Sequence, residues 1–189
     1  MPASTREQLI AAAFEMFQRE GFHEVGLERI LDEAGVSKTT FYNHFESKDD
    51  LVLGLLGWRD RWWRNEFVEL LRKHGGEKPR DQLLALEGAL GEMFSSGEFH
   101  GCLFVNVAVE YRRAGDPANR AAVAHKKAME DVVRQIAAYA GAADPAGLAQ
   151  EYTMVLEGAY ITRFVSGNPE AAGIAGRLVR AVVERYLPA

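Results

Sequence analysis

Three times in the second half of this chain an Asp or Asn stands directly before a proline: Asp116-Pro117, Asp144-Pro145 and Asn168-Pro169. An Asx side chain caps the free amides of a helix start. Proline fits the first helical position because its missing N–H would have had no partner there. Each pair precedes a long stretch of helical periodicity, over 117–140, 145–166 and 169–186, and Gly141 and Gly167 close the first two. The N-terminus carries a different start signal. Ser4-x-x-Glu7 forms a capping box, and Leu9, Ile10, Ala13, Phe14 and Phe17 continue as one apolar stripe that Gly21 ends.

Between these ends the pattern predicts helices at about 26–34, 37–44, 47–73, 81–95 and 102–114. Only Cys102–Tyr111 alternates like a strand, at Val105, Val107 and Val109, and no second strand is available to pair with it. The expected fold is therefore all-α, with about nine helices. A small N-terminal domain over 1–46 joins a larger helical domain over 47–189 through the helix at 47–73. With 48% hydrophobic residues, the chain can bury a core without staples. The single cysteine, Cys102, has no intramolecular partner and reads as a small hydrophobe in a reduced compartment. The first residues lack a basic stretch followed by an apolar one, and no apolar run is long enough for a membrane span. A cytoplasmic protein with no membrane partner is expected.

Residues 26–51 read GLERILDEAGVSKTTFYNHFESKDDL. Leu27, Ile30, Leu31 and Ala34 give one helical face, and Gly35 follows as the left-handed residue of a tight turn. Ser37 then caps a second short helix whose inward residues are Phe41 and Phe45. Two short helices joined through such a turn make a helix-turn-helix. The segment Ser37, Lys38, Thr39, Thr40, Tyr42, Asn43 and His44 supplies short or flat polar groups suited to base edges and phosphates in a major groove. Ser47 caps the next helix, placing Lys48 at its positive N-terminal end, where a phosphate binds readily.

The stretch AGVSKTTFYNHFESKDDL resembles the DNA-binding domain of TetR/AcrR-family transcriptional regulators. The likeness extends over about residues 6–56 and includes Phe17, Gly21 and Phe22 at the end of the first helix. It implies that Lys38, Thr39, Thr40 and Asn43 meet base edges or the nearby backbone. Tyr42, His44 and Lys48 would hold phosphates, and Phe41 and Phe45 would be core. Two positions depart from the family's common pattern. Gly26 stands where a Thr usually caps the second helix and touches a phosphate, and Leu31 replaces a small Ala. The resemblance also implies a homodimer on a pseudo-palindromic operator in double-stranded DNA. It further implies a C-terminal domain that binds a small-molecule effector, with repression the default and the helix at 47–73 the expected transmitter.

The second half supports both implied roles. The segment 145–166 is apolar nearly all round, which demands neighbours on every side. With a further stripe in 169–186, it predicts a two-fold interface through Tyr152, Val155, Ala159, Ile174, Leu178 and Val182, with Gly158 allowing close approach. Effector-binding candidates combine apolar and polar groups: Trp62, Phe94, His100, Asn106, Tyr111, His125, Met129 and Phe164. Trp58, Met93, Phe104 and Val109 are further wall candidates, although aromatic and Met positions at helical spacing are usually plain core.

Catalysis is not expected. The histidines form no His-Glu-x-x-His motif, Gly21 breaks the lone Glu20-x-x-His23 spacing, and no phosphate-binding or nucleophile motif occurs. No metal or cofactor is expected. The rival reading is a helical ligand-binding or adaptor protein without specific DNA binding. The charge keeps it open: the net charge is −5, and residues 1–50 carry ten acids against five Lys or Arg. Net charge governs non-specific affinity, whereas placed contacts govern register, so a DNA binder of this composition should be selective and rely on few phosphates.

Overall fold

The computed structural model describes residues 4–95 and 99–187, which form ten α-helices and no strand among the described residues. They are α1 (Thr5–Glu20), α2 (Leu27–Ala34), α3 (Lys38–Tyr42), α4 (Lys48–Gly75), α5 (Pro79–Leu84), α6 (Leu86–Ser95), α7 (Leu103–Glu110), α8 (Pro117–Tyr139), α9 (Pro145–Ser166) and α10 (Ala171–Tyr186). The segment with strand-like alternation is the helix α7, as the lack of a pairing partner required. No helix of the described residues is long and apolar enough to cross a membrane.

The start signals act as read in all but one case. Ser4 and Glu7 cap α1 reciprocally, with the Glu7 carboxylate 2.7 Å from the Ser4 amide. Asp116 accepts from the Ala118 N–H at 2.8 Å, and Asp144 accepts from the Gly147 N–H at 2.9 Å. At Asn168 the side chain instead accepts from Glu170 N–H at 2.9 Å and closes a turn, so α10 begins at Ala171. The single helix expected over 81–95 is two. At Ala85 the backbone leaves helical values (φ −81°, ψ 5°) and its N–H turns back to the Gln82 carbonyl. Pro79 already opens the first of them.

The chain forms two compact units. One comprises the chain up to Arg61 together with Leu103–His125; the other comprises Trp62–Cys102 and the chain from Lys126 onward. The backbone crosses this division inside α4, just before α7 and inside α8. In the first unit α1 packs on α2, which packs on α3. Leu9, Phe17, Phe22, Ile30, Phe41, Leu51 and Leu55 are fully buried there. Each such side chain contributes on the order of 1.5–3 kcal/mol.

The second unit is a helical layer in which α10 packs against both α9 and α6. Its core joins Trp63 and Phe67 of α4, Leu86 and Leu90 of α6, Val133 of α8, Leu156 of α9 and Val179 of α10. Tyr152 of α9 is fully buried in that core, and its hydroxyl has no hydrogen-bond partner among the described residues. Burial pushes the phenol far above its ordinary pKa, so the group stays neutral. An unmade bond of this kind costs about 1–3 kcal/mol. Tyr152→Phe is therefore expected to stabilise the protein by about 1 kcal/mol and raise Tm by roughly 2–4 °C. Thermal melting followed by circular dichroism checks this, and a lowered midpoint would mean that the hydroxyl is satisfied.

Candidate nucleic-acid interface

The helix-turn-helix is assembled by local chemistry. α2 ends where Gly35 adopts φ 64°, ψ 32°, a left-handed conformation that glycine enters without penalty. The Gly35 N–H turns to Asp32 O at 3.2 Å and the Val36 N–H to Leu31 O at 3.0 Å, closing the helix end as a Schellman motif. Ser37 then caps α3, accepting from the Thr40 N–H at 3.1 Å, with its hydroxyl 2.8 Å from that of Thr40. α3 has only five residues, too few to persist alone. It holds because Phe41 is fully buried and Phe45, with its ring 5.8 Å away, is nearly so. The Arg6 guanidinium lies 5.0 Å over the Phe45 ring and closes that side.

The opposite face of α3 and the residues just after it are open. Lys38, Thr39, Tyr42, Asn43 and His44 are exposed, and Thr40 is half-buried behind its bond to Ser37. Tyr42 stands edge-on against Phe41 at 5.2 Å, so its ring direction is set from within. Ser47 accepts from the Asp50 N–H at 3.1 Å, and Asp50 accepts from the Glu46 N–H at 3.0 Å, fixing the start of α4. Gly26, at the start of α2, offers no side-chain cap, and a Cβ added there would meet nothing within 4 Å.

Lys48 is placed differently from a lysine free in solvent. Its ammonium donates to the Phe22 carbonyl at 2.6 Å, and the side chain is half-buried. Burial lowers its pKa, while Asp49 and Glu110 oppose that shift. The turn holding Phe22 is tied from the other side by the last residue of α7. Glu110 accepts from the Phe22 N–H at 3.0 Å and the His23 N–H at 2.9 Å. No spacing rule in the sequence announces this contact, which joins residues 88 apart. The only signal was that Glu110 is the lone charged side chain between His100 and Arg112.

The effector candidates fall in both units. In the first, His125 is buried, donates from Nδ1 to Asp60 at 2.7 Å, and stacks on Phe104 at 3.7 Å. Tyr111 packs against Phe22 and His23, and Asn106 is half-buried on α7. In the second, Phe94 meets Phe99 and Tyr160 edge-on, and Tyr160 accepts from Trp63 Nε1 at 3.2 Å. Met129 lies in the core, His100 is half-buried, and Trp62 is exposed. Phe164 is 46% exposed and covers Gly101, where an added Cβ would come within 2.9 Å of the ring.

Of the expected dimer residues, Tyr152 lies inside its own unit, Ala159 and Val182 are nearly buried, Val155 is half-buried, and Ile174 and Leu178 are exposed. An apolar groove of about 320 Å³ runs between α9 and α10, lined by Met154, Val155, Gly158, Ile174 and Leu178 among others.

A family model described as bacterial regulatory proteins, tetR family, matches residues 9–55. Beyond that segment, the structure resembles a TetR-family transcriptional regulator from Streptomyces coelicolor, with 31% identity and a TM-score of 0.86. The match covers 96% of this chain and 95% of that one. The chain belongs to the TetR family of transcriptional regulators. A tetR transcriptional regulator of Streptomyces avermitilis is similar over 97% of this chain and 98% of that one, with 27% identity and a TM-score of 0.82. Among curated TetR-family relatives, the repressor NemR of Escherichia coli is 32% identical over 107 residues. That match spans 56% of this chain and about half of NemR, 53% of its length.

Tyr111 gives this site a pH signature. Burial, joined by the negative charges of Asp49, Glu110 and Asp116, raises its pKa from 10.0 to about 12. Between those values an unfolded chain has lost the proton that the folded chain keeps. The stability from this group is thus fully present below pH 10 and is lost as pH rises toward 12. In an ultraviolet difference titration, wild type minus Tyr111→Phe is expected to show one phenol ionising near the upper value. Ionisation near 10 would place the ring in solvent.

Proposed function

We propose that the protein is a ligand-responsive, cytoplasmic repressor that binds a pseudo-palindromic operator as a homodimer and leaves it when a small molecule binds the C-terminal part. The observation that carries this reading is α3: a capped, Phe41-anchored helix with Lys38, Thr39, Tyr42, Asn43 and His44 exposed along one short segment. Lys38, Thr39, Thr40 and Asn43 are the proposed base-edge and nearby contacts, Tyr42, His44 and Lys48 hold phosphates, and Ser37 belongs to the DNA-binding segment as the cap of α3. Repression is favoured because a curated relative, NemR, is named a repressor. The domain division at residue 46 belongs to the same proposal, as does α4 as transmitter. A ligand that favours one recognition-helix spacing lowers affinity for DNA that requires another, and by linkage DNA lowers affinity for the ligand equally.

Few positive charges serve this surface. Arg29 is paired with Glu20 at 2.7 Å, and the first fifty residues are net acidic. Non-specific binding should therefore be weak and the salt slope per subunit shallow. Gly26 is the place to test this, because space for a side chain exists there. Gly26→Thr is expected to raise affinity for DNA flanking the protein's own gene several-fold and to leave the salt slope unchanged, because an uncharged hydroxyl bonds a phosphate without releasing counterions. Fluorescence anisotropy across a salt series checks both. Equal affinity of the wild type for flanking and random DNA would favour the adaptor reading instead.

The proposed dimer forms on the face of α9 and α10 around the groove. Met154, Val165 and Leu178 are exposed by 52–76% there, an apolar surface that a second copy would cover by two-fold pairing. Leu178→Arg places an unpaired charge in that interface and is expected to give a folded monomer in sedimentation experiments at micromolar concentration. A dimer unaffected by this change would move the interface elsewhere.

A further inference from the structure

One peptide unit, between Phe22 and His23, is gripped by opposite charges at its two ends. Its N–H donates to the Glu110 carboxylate at 2.9 Å, and its C=O accepts from the Lys48 ammonium at 2.6 Å. The second Glu110 oxygen takes the neighbouring Phe22 N–H at 3.0 Å. The His23 ring returns to the Glu110 carbonyl at 3.3 Å and lies 4.9 Å from the Tyr111 ring. Glu110 therefore has little freedom. Gly21 completes the fit, since at φ 90° a Cβ there would sit 3.1 Å from the Glu110 carboxylate.

We infer that Glu110 is a positioning residue for Lys48: through the Phe22–His23 peptide it aims the ammonium that meets a DNA phosphate. This rests on the proposed phosphate contact of Lys48. Bonds from N–H groups to a carboxylate are stronger than neutral ones, and an anion on the N–H end of a peptide makes its carbonyl a better acceptor. The strengthened carbonyl holds the ammonium in one direction while using one of its three donors. A lysine on a solvent-exposed helix start would lose much of its rotamer freedom on meeting phosphate. Here that ordering is already done before DNA arrives. Glu110 sits 62 residues beyond Lys48 in the chain, on α7, so displacement of the α7 end would loosen this contact without touching DNA.

A double-mutant cycle on the full chain tests the inference, using a labelled duplex from the DNA flanking its gene as the probe in anisotropy titrations over a salt series. Lys48→Met is expected to weaken binding about tenfold and to flatten the salt slope by about one phosphate per subunit. Glu110→Gln, with melting measured alongside, is expected to reproduce a large part of that loss. In the Lys48→Met background it should add nothing, because its effect passes through the missing ammonium. Equal losses from Glu110→Gln in both backgrounds, or none in either, would overturn the positioning role. An unchanged affinity for Lys48→Met alone would overturn the phosphate contact on which the role rests. Should Glu110→Gln fail to fold, Glu110→Asp keeps the charge and shortens the reach. The same non-additivity with Lys48→Met is then the supporting result, and additivity the contrary one.

Discussion

The DNA-facing end of this molecule depends on the burial of one ring. α3 is five residues long, and no helix of that length survives on its own hydrogen bonds. Phe41, fully buried, holds it against the first unit, and Phe45 fixes where it ends. The residues on the open side are placed by that burial. Tyr42 leans on the Phe41 edge, Thr40 is tied back to Ser37, and Lys38, Thr39, Asn43 and His44 project from a backbone that cannot roll. Loss of the Phe41 ring would be expected to cost about 3–5 kcal/mol and, with it, the geometry of every proposed contact.

Around that anchor, the turn after α1 acts as a junction. Gly21 turns the chain, Phe22 stacks on Phe17 at 4.7 Å, and the following peptide receives both Glu110 and Lys48. Three separated stretches of sequence thus meet at one turn. An acidic domain can bind a polyanion under these conditions because its acids are partly used internally: Glu20 on Arg29, Glu110 on two amides, Glu7 in a cap. The open residues of α3 carry no acid, and few placed contacts decide where the protein sits.

The helix-turn-helix was legible in the sequence because its determinants are local. Gly35, Ser37 and Phe41 each act within a few residues, through a left-handed turn, a cap and an amphipathic spacing. The stop and start signals at Asp116, Asp144 and Gly167 were legible for the same reason. What was not legible required distance in sequence. Glu110 meets Phe22 across 88 residues, and His125 meets Asp60 across 65, with no spacing rule to announce either. The split at Ala85 was hidden because helical periodicity continues through it. In α9 the apolar pattern announced a helix covered on all sides. It did not say which side faces inward: Tyr152 and Leu156 fill the unit's own core, while Met154 and Val165 remain exposed.

The central claim is that a dimer reads DNA through two copies of α3. Hydroxyl-radical footprinting of the intact protein on the DNA flanking its own gene tests this most directly. Two short protected patches are expected on one face of the duplex, with centres about 34–36 Å, or one helical turn, apart or a multiple of it. Uniform weak protection along the duplex, or a single isolated patch at saturating protein, would contradict the account.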